Sequence, residues 1–235
     1  MAAIASSQTA MAAIASSQTA MAAIAASQTA MAAIAASYVA VAAVYGSAVA
    51  VDAVKANETA WATLTGATSA VMGKAVAVLS GLNPDSYADM TAVASSSTAM
   101  AAIASSQTAM TAIIGNSTAL NAVVSSSTAM AAIAASSTAL SAIAASTTAL
   151  DAIYAQKKRM SGASASLSGK FIILQISNDN AFDTSQYGYA ILSDGSKPKW
   201  DGYKDKYAYF KQYKKIATYM KNDTDRDDWI DYFQC

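Results

Sequence analysis

A ten-residue repeat occupies the first two thirds of the chain and constrains its fold more than any other feature. Residues 1–30 read MAAIASSQTAMAAIASSQTAMAAIAASQTA, which is one decapeptide written three times with a single change. Units begin at Met1 and every ten residues up to Trp61, and a second block of units runs from Met90 to Leu150. A fixed period of this kind is typical of proteins built from equivalent units that stack on one another.

The apolar positions of the repeat predict short helices. Position one is large and apolar, position three is alanine except at Thr63, position four is Ile, Val or Leu, and position ten is alanine until Arg159. Counted from position ten, these residues fall at offsets of zero, one, three and four, which lie on one face of a helix. We predict that positions ten, one, three and four are buried.

Position seven explains how a ten-residue period is compatible with helix. In one continuous helix, ten residues would advance about 1000°, so the apolar stripe would rotate by about 80° in each unit. Position seven is serine in most units and asparagine at Asn57 and Asn116, and both residue types are preferred N-caps. A new helix is therefore predicted just after each position seven.

Helices of two turns are stable only when neighbouring helices bury a shared core. We therefore predict a mainly α fold, a solenoid or filament of short capped helices with a ten-residue repeat, followed by a small α+β C-terminal domain. The alternatives for the repeat are a distorted coiled coil, a β-solenoid and a disordered array.

Composition changes along the chain and predicts its organisation. Residues 1–159 hold ten charged side chains and residues 160–235 hold twenty, and neither region carries net charge. Between the two blocks, VMGKAVAVLSGLNPDSYADM contains a turn signal at Gly81 and Pro84. The predicted organisation is array I over 1–69, a corner over 70–89, array II over 90–159, a linker over 160–170 and the small domain over 171–235.

The C-terminal region predicts strands and an aromatic helix. The apolar run KFIILQIS, from Lys170, is a candidate buried strand, and YGYAILSDGSKP, from Tyr187, is a second strand that ends in a turn. Helical spacing then predicts a basic aromatic helix through Tyr207, Phe210, Lys214, Ala217 and Met220.

The recurring SSTAMAAIAASSTALSAIAAS of residues 126–146 resembles the Ser-Thr-Ala-Met-x-Ala-Ile decad arrays of bacteriophage tail-fibre and other virion fibre proteins. The resemblance covers about residues 1–155 and is weaker from Tyr38 to Leu79, where the units depart from the pattern. It implies an elongated structural segment of a virus particle followed by a C-terminal module, and a location in the virion or outside the cell. It implies no catalytic residue.

Aromatic residues of the C-terminal region are the candidate ligand-binding residues. Trp and Tyr dominate binding hot spots and can stack on sugars or bases. The alternative is that most of these aromatic side chains form the core of the small domain. The candidates are Trp200, Tyr203, Tyr207 and Trp229.

The composition argues against catalysis and metal binding. The chain has no histidine and a single cysteine, Cys235, which excludes a Ser-His-Asp triad and His- or Cys-ligated metal sites. The run Asp223, Asp225, Asp227 resembles a calcium loop but lacks the glycine and glutamate of an EF-hand. We predict no enzyme activity, no cofactor, no metal, no nucleic acid and, because Ser and Thr interrupt every apolar run, no membrane insertion.

We expect a structural fibre component of a virus (phage) particle. The repeat array would be the spacer or scaffold, and the C-terminal domain would dock on a neighbour or attach to a host receptor. The expected partners are other virion proteins or further copies of the chain, for example in a trimer, and a host-surface glycan or protein. The alternative is an extracellular surface adhesin or an ice-binding repeat protein, in which Thr9-type residues would form a regular array.

Overall fold

The repeat units form separate short α-helices. A computed structural model describes residues 2–177, 181–182, 188–201, 205–223 and 228–235. Within them lie sixteen α-helices, which make the chain 60% helical, and a small antiparallel sheet near the C-terminus. A mainly helical chain with a C-terminal sheet confirms the broad fold class predicted from the repeat. The first block contains α1 to α8: Ala2–Ala5, Gln8–Ala15, Gln18–Ala25, Gln28–Ala35, Tyr38–Tyr45, Ala48–Lys55, Glu58–Thr65 and Ser69–Leu79.

The second block follows a short 3-10 helix, Pro84–Ser86. Its first helix, α9, begins at Met90, which is where the second series of units was predicted to start. The helices of this block are α9 to α15: Met90–Ser95, Ser97–Ser105, Gln107–Gly115, Ser117–Val124, Ser127–Ala134, Ser137–Ala144 and Thr147–Tyr154.

The predicted N-caps at position seven are confirmed. The N–H of Ala10 donates to Ser7 Oγ at 3.3 Å, and the N–H of Ala60 donates to Asn57 Oδ1 at 3.0 Å. The cap residue has extended backbone angles, so each helix stops before it and the next begins after it. The same bond is made in the second block by Ser96, Ser106, Asn116, Ser126, Ser136 and Ser146.

The buried face of the helices differs from the prediction at two positions. Position five is buried, as in Ala15 and Ala94, whereas position three varies: it is exposed at Ala13, half-buried at Ala92 and buried, as predicted, at Ala53, Ala112 and Ala142. The reason is geometric: position five lies four residues after position one and therefore points the same way, whereas position three is rotated by about 200°. Positions ten, one, four and five together form the face that packs.

Several helices contact the helix three further along the chain. The pairs α2 and α5, α3 and α6, and α4 and α7 are all in contact, and so are α9 and α12. Consecutive helices bend sharply, by 102° between α4 and α5 and by 90° between α7 and α8. Three bends of this size bring the chain back beside its earlier path.

The serine at position seven also joins helices that are distant in sequence. Ser47 Oγ donates to the carbonyl of Ala15 at 2.6 Å, and Ser126 Oγ donates to the carbonyl of Ala94 at 2.6 Å. Each hydroxyl therefore accepts a hydrogen bond at the start of the helix that it caps and donates one to the end of the helix four before, α2 for Ser47 and α9 for Ser126. The second bond satisfies a carbonyl that has no partner within its own helix.

The segment between the blocks continues the same packing. Helix α8 is longer than its neighbours, with eleven residues, and Gly81 follows it with a φ of 72°, in the left-handed region that favours glycine. Helix α8 contacts both α5 and α11, so the predicted arrays I and II are joined through it. The chain divides into two compact units, Met1–Ala132 and Ile133–Cys235, and this division falls within array II and not near residue 159.

Gly73 allows α8 to approach the start of α9. A Cβ atom on Gly73 would lie 2.5 Å from the carbonyl carbon of Asp89, the residue that caps α9. We expect Gly73→Ala to lower the free energy of unfolding by about 2 kcal/mol, because backbone rather than a mobile side chain would have to move.

The matched control for this substitution is Gly46→Ala. Gly46 has a φ of −69° at position six, where neighbouring units carry Ala36 and Ala56. Urea unfolding followed by circular dichroism should show almost no loss in the free energy of unfolding for Gly46→Ala. Equal losses for the two variants would contradict a close approach at Gly73.

The C-terminal region forms a five-stranded antiparallel sheet in the order β1-β7-β2-β6-β4, and a two-stranded pair, β3 with β5. The predicted strand at KFIILQIS is confirmed within β2, and the predicted strand and turn near Asp194 are confirmed in β4 and the residues after it. The elements are β1 Lys158–Ser161, β2 Ser166–Ser177, β3 Ala181–Phe182, β4 Tyr189–Leu192, β5 Trp200–Asp201, α16 Ala208–Tyr213, β6 Ala217–Lys221 and β7 Trp229–Gln234.

Two sequence predictions differ from this region of the structure. The predicted linker, 160–170, instead contributes to β1 and β2, because its small residues pair with β6 and β7. The predicted helix through Met220 was wrong beyond Lys214, where φ becomes 52°. Met220 lies in β6 opposite Leu167 and Ala190, because pairing on both sides outweighs the local helical spacing.

Candidate functional site

Of the four predicted ligand-binding residues, two have described side chains. Tyr203 lies outside the described residues. Trp200 pairs through its backbone with Phe182 in the β3–β5 ladder, and its side chain is not among those that the structure describes. Tyr207 precedes α16 and Trp229 begins β7, and both lie in the second compact unit.

Tyr207 connects the sheet region to the last array helix, α15. Its backbone is left-handed, with a φ of 67°, and its N–H donates to the carbonyl of Leu174. The ring is buried and meets the edge of Tyr154, 5.8 Å away between ring centroids, and its hydroxyl donates to Asp151 Oδ1 at 2.5 Å. Burial, and then the hydrogen bond to Asp151, raises the pKa of the Tyr207 hydroxyl.

Trp229 is half-buried beneath an arginine. The guanidinium carbon of Arg159 lies 3.6 Å from the centroid of the Trp229 ring, a cation–π contact. The same guanidinium donates from Nε to Asp231 Oδ1 at 2.6 Å and from Nη2 to Asp231 Oδ2 at 2.8 Å. Antiparallel pairing of β1 with β7 places Arg159 opposite Asp231 and explains how these two side chains meet.

Tyr154, from α15, contacts both Tyr207 and Asp231, the carboxylate that pairs with Arg159. Its hydroxyl donates to Asp231 Oδ2 at 3.2 Å, while its ring packs on Tyr207. The ammonium groups of Lys157 and Lys206 lie 4.1 Å and 4.0 Å from the centroid of this ring. We call the whole set the junction cluster: Asp151, Tyr154, Lys157, Arg159, Lys206, Tyr207, Lys211, Trp229 and Asp231.

The junction cluster has more positive than negative groups. Lys157, Arg159, Lys206 and Lys211 face only two carboxylates. The hydrogen bond from Tyr207, followed by that from Lys206, lowers the pKa of Asp151, and the hydrogen bond to Asp231 raises the pKa of Arg159. Both carboxylates accept hydrogen bonds from side chains of the cluster. The cluster is suited to binding through rings and ammonium groups.

The sequence predicted Tyr207 and Trp229 but missed the residues that hold them. Asp151 and Tyr154 belong to the last repeat unit, where they replace small residues at positions two and five. That departure from the repeat is a signal that could have identified them. Arg159 and Asp231 are 72 residues apart, and only the strand pairing brings them together.

Two other regions of the chain bear on binding. Within the described residues, no group of three or more His, Cys, Asp or Glu side chains is close enough to hold a metal ion; Asp225 and Asp227 of the predicted acidic loop lie outside them. A shallow groove of about 280 Å³ runs beside α2, α5 and α8, and its lining is mainly apolar, with Tyr38, Val39 and Val78.

No single helix among the described residues is long and apolar enough to cross a membrane, although three pairs of consecutive helices, each bent by 90° or more, reach that length and composition together. In comparisons with known proteins, neither a protein-family model nor a curated protein matches this chain.

Proposed function

We propose that the chain is a structural fibre component of a virus (phage) particle. Its repeat array would be a helical solenoid that acts as a spacer or scaffold, and its C-terminal domain would dock on a neighbouring particle protein or attach to a host-surface glycan or protein. The observation that carries the proposal is the contact between helices three apart in the chain, as between α2 and α5, α3 and α6, and α9 and α12.

The hydrogen bonds at position seven support the solenoid. Ser37 donates to the carbonyl of Ala5, and Ser47 donates to that of Ala15, in each case 32 residues earlier. Asn116 makes the corresponding contact with the carbonyls of Thr65 and Ala67 across the segment between the blocks. Because a solenoid grows by adding equivalent units, its length can change without a change in packing, which suits a spacer.

The distribution of side chains supports docking through the C-terminal domain. Residues 1–51 carry no charged side chain, and the first three units there are nearly identical, so this region offers little to distinguish one partner from another. The junction cluster, by contrast, combines Trp229, Tyr154 and several lysines in a unique arrangement. Tyr, Trp and Arg are the residue types that dominate binding hot spots.

The threonine positions favour a scaffold over an ice-binding surface. Thr9, Thr19 and Thr29 are exposed and lie on three consecutive helices, α2, α3 and α4. On the helices that stack against α2 and α3, the equivalent positions are Val39 and Val49. A regular threonine plane on one side of the array is therefore not expected.

The proposal is tested with particles from a host that carries the gene. Purified particles should contain the chain in several copies, measured by mass spectrometry. Charge reversal at Lys157 and Lys211, two residues of the junction cluster, should weaken attachment of the chain to its docking partner or to host cells about tenfold, because like charges would then meet across the contact.

The matched control is charge reversal at Lys55 and Lys74, which lie on α6 and α8 of the array. These changes should leave attachment unaltered. Absence of the chain from particles would overturn the structural assignment, and equal effects of the two pairs would overturn the assignment of docking to the C-terminal domain.

A further inference from the structure

Three exposed lysines of the junction cluster lie over aromatic rings. The ammonium groups of Lys157 and Lys206 are 4.1 Å and 4.0 Å from the ring centroid of Tyr154. Lys206 is also 4.7 Å, and Lys211 5.8 Å, from the ring centroid of Tyr207. A cation–π contact leaves the N–H groups that point away from the ring free to bind an anion. We call Lys157, Lys206 and Lys211 the lysine patch.

The lysine patch has more positive charge than its own carboxylates balance. Lys206 donates to Asp151 Oδ1 at 3.3 Å. Neither Lys157 nor Lys211 forms an ion pair with any residue in the described ranges. The other carboxylate of the cluster, Asp231, is completely buried and is already bound at two points by its arginine. Among the described residues, one carboxylate therefore bonds to a patch of three ammonium groups.

Tyr154 keeps two of these ammonium groups close together. Because both lie about 4 Å from one ring centroid, they are at most about 8 Å apart, which is no more than the Debye length at physiological salt. Like charges at such a distance repel each other, and an anion bound beside them relieves the repulsion. On the array, Lys55 lies over Trp61 and Lys74 lies over Tyr38, so the two cations there are on different rings.

The ring faces favour an acidic partner over a partner that stacks. A sugar or a base stacks on an open face of an aromatic ring. The ring of Trp229 carries the guanidinium of Arg159 at 3.6 Å, the ring of Tyr154 carries two ammonium groups, and Tyr207 is buried. The cluster therefore presents N–H donors to a partner, and carboxylates are matching acceptors for such charged donors.

We propose that the lysine patch binds the carboxylates of an acidic segment of a partner protein. The inference rests on the proposed function, because it takes the junction cluster as the docking surface and names the chemistry of what docks there. Lys157 and Lys206 contact carboxylates beside Tyr154, and Lys211 adds a further contact. Tyr154 is a positioning residue, because it acts through the two ammonium groups that it holds.

Isothermal titration calorimetry of the full chain with poly-L-glutamate tests this inference. The polymer should bind at about 50 mM NaCl and lose at least about tenfold in affinity by about 300 mM NaCl, because salt screens exposed charges. Lys157→Gln combined with Lys206→Gln should weaken binding at least about tenfold. The matched control is Lys55→Gln combined with Lys74→Gln, two lysines that also lie over rings. It should bind as the unchanged chain does.

Two variants at Tyr154 separate positioning from charge. Tyr154→Phe keeps the ring and should bind poly-L-glutamate within about twofold of the unchanged chain, whereas Tyr154→Leu keeps every lysine but should bind at least about threefold more weakly than Tyr154→Phe. Both variants lose the hydroxyl that donates to Asp231, so that hydrogen bond does not explain a difference between them. Circular dichroism verifies that each variant is folded. Equal affinities would overturn the positioning role.

Hyaluronate, a polysaccharide whose acidic sugars carry carboxylates, identifies the class of partner. It should bind more weakly than poly-L-glutamate at equal carboxylate concentration, because neutral sugars separate its carboxylates and find no open ring face. Equal or stronger binding of hyaluronate, no binding of poly-L-glutamate, or an equal loss in the array control would each overturn the inference. These titrations need no virus particles, so absence of the chain from particles would overturn the proposed function and leave the titration result as it is.

Discussion

Replacing Asn116 by alanine should lower the free energy of unfolding by about 3–5 kcal/mol. Asn116 is fully buried and makes three hydrogen bonds through its side chain. Its Oδ1 accepts from the N–H of Ala119, and its Nδ2 donates to the carbonyls of Thr65 and Ala67, all at 2.8 Å. Alanine would remove the N-cap and leave two carbonyls without this donor.

The magnitude follows from the separate contributions. Loss of an N-cap costs about 1 kcal/mol, the buried carbonyl of Ala67 left without a donor costs about 1–3 kcal/mol, and loss of the partly buried hydrogen bond to Thr65 costs about 1 kcal/mol. Because two of the three bonds join segments about 50 residues apart in the chain, the loss should affect the packing of array I against array II and not only the start of α12.

Asn57 is the matched control for Asn116. It is the same residue type at the same position of the repeat, it caps α7 through Ala60, and it is only half-buried. Asn57→Ala should therefore lower the free energy of unfolding by only about 1 kcal/mol. Urea unfolding followed by circular dichroism measures both variants. Equal losses would mean that the long-range bonds of Asn116 contribute nothing net to stability.

The second large effect is expected at Arg159. The side chain of Asp231 is completely buried and forms a two-point contact with Arg159, whose own side chain is 46% exposed. Arg159→Ala would leave a buried carboxylate without its countercharge, which costs about 3–5 kcal/mol. The fluorescence of Trp229 should change at the same time, because its ring loses the guanidinium that stacks on it.

Lys215 provides the comparison for Arg159. It pairs with Asp194 at the surface, where both side chains are nearly half exposed, and surface pairs of this kind contribute little to stability. Lys215→Ala should leave the unfolding midpoint almost unchanged. In a further test, Asp231→Asn removes the buried charge, so a subsequent Arg159→Ala substitution should cost much less than it does in the unchanged chain. If the losses in the free energy of unfolding were simply additive in the double variant, the interaction between Arg159 and the Asp231 carboxylate would contribute nothing to stability.

The start of each helix could be predicted from the sequence because an N-cap is a local interaction. Ser7 and Ala10 are three residues apart, and the hydrogen bond between them needs only the geometry of one helical turn. The second series of units was predicted to begin at Met90, where α9 begins, although its cap, Asp89, was not predicted. For the C-terminal region, the apolar run in β2 was recognised because its residues are suited to a buried strand.

The tertiary structure decided what each helix touches. Whether Ala15 or Ala13 is buried depends on where the neighbouring helices lie, and the repeat itself did not show that Ser47 reaches a carbonyl of Ala15. In the C-terminal region, cross-strand partners placed Met220 in a strand, and they brought Arg159 to Asp231. These contacts join residues dozens of positions apart, and their free energy comes from burial and pairing, which exist only after the chain has folded.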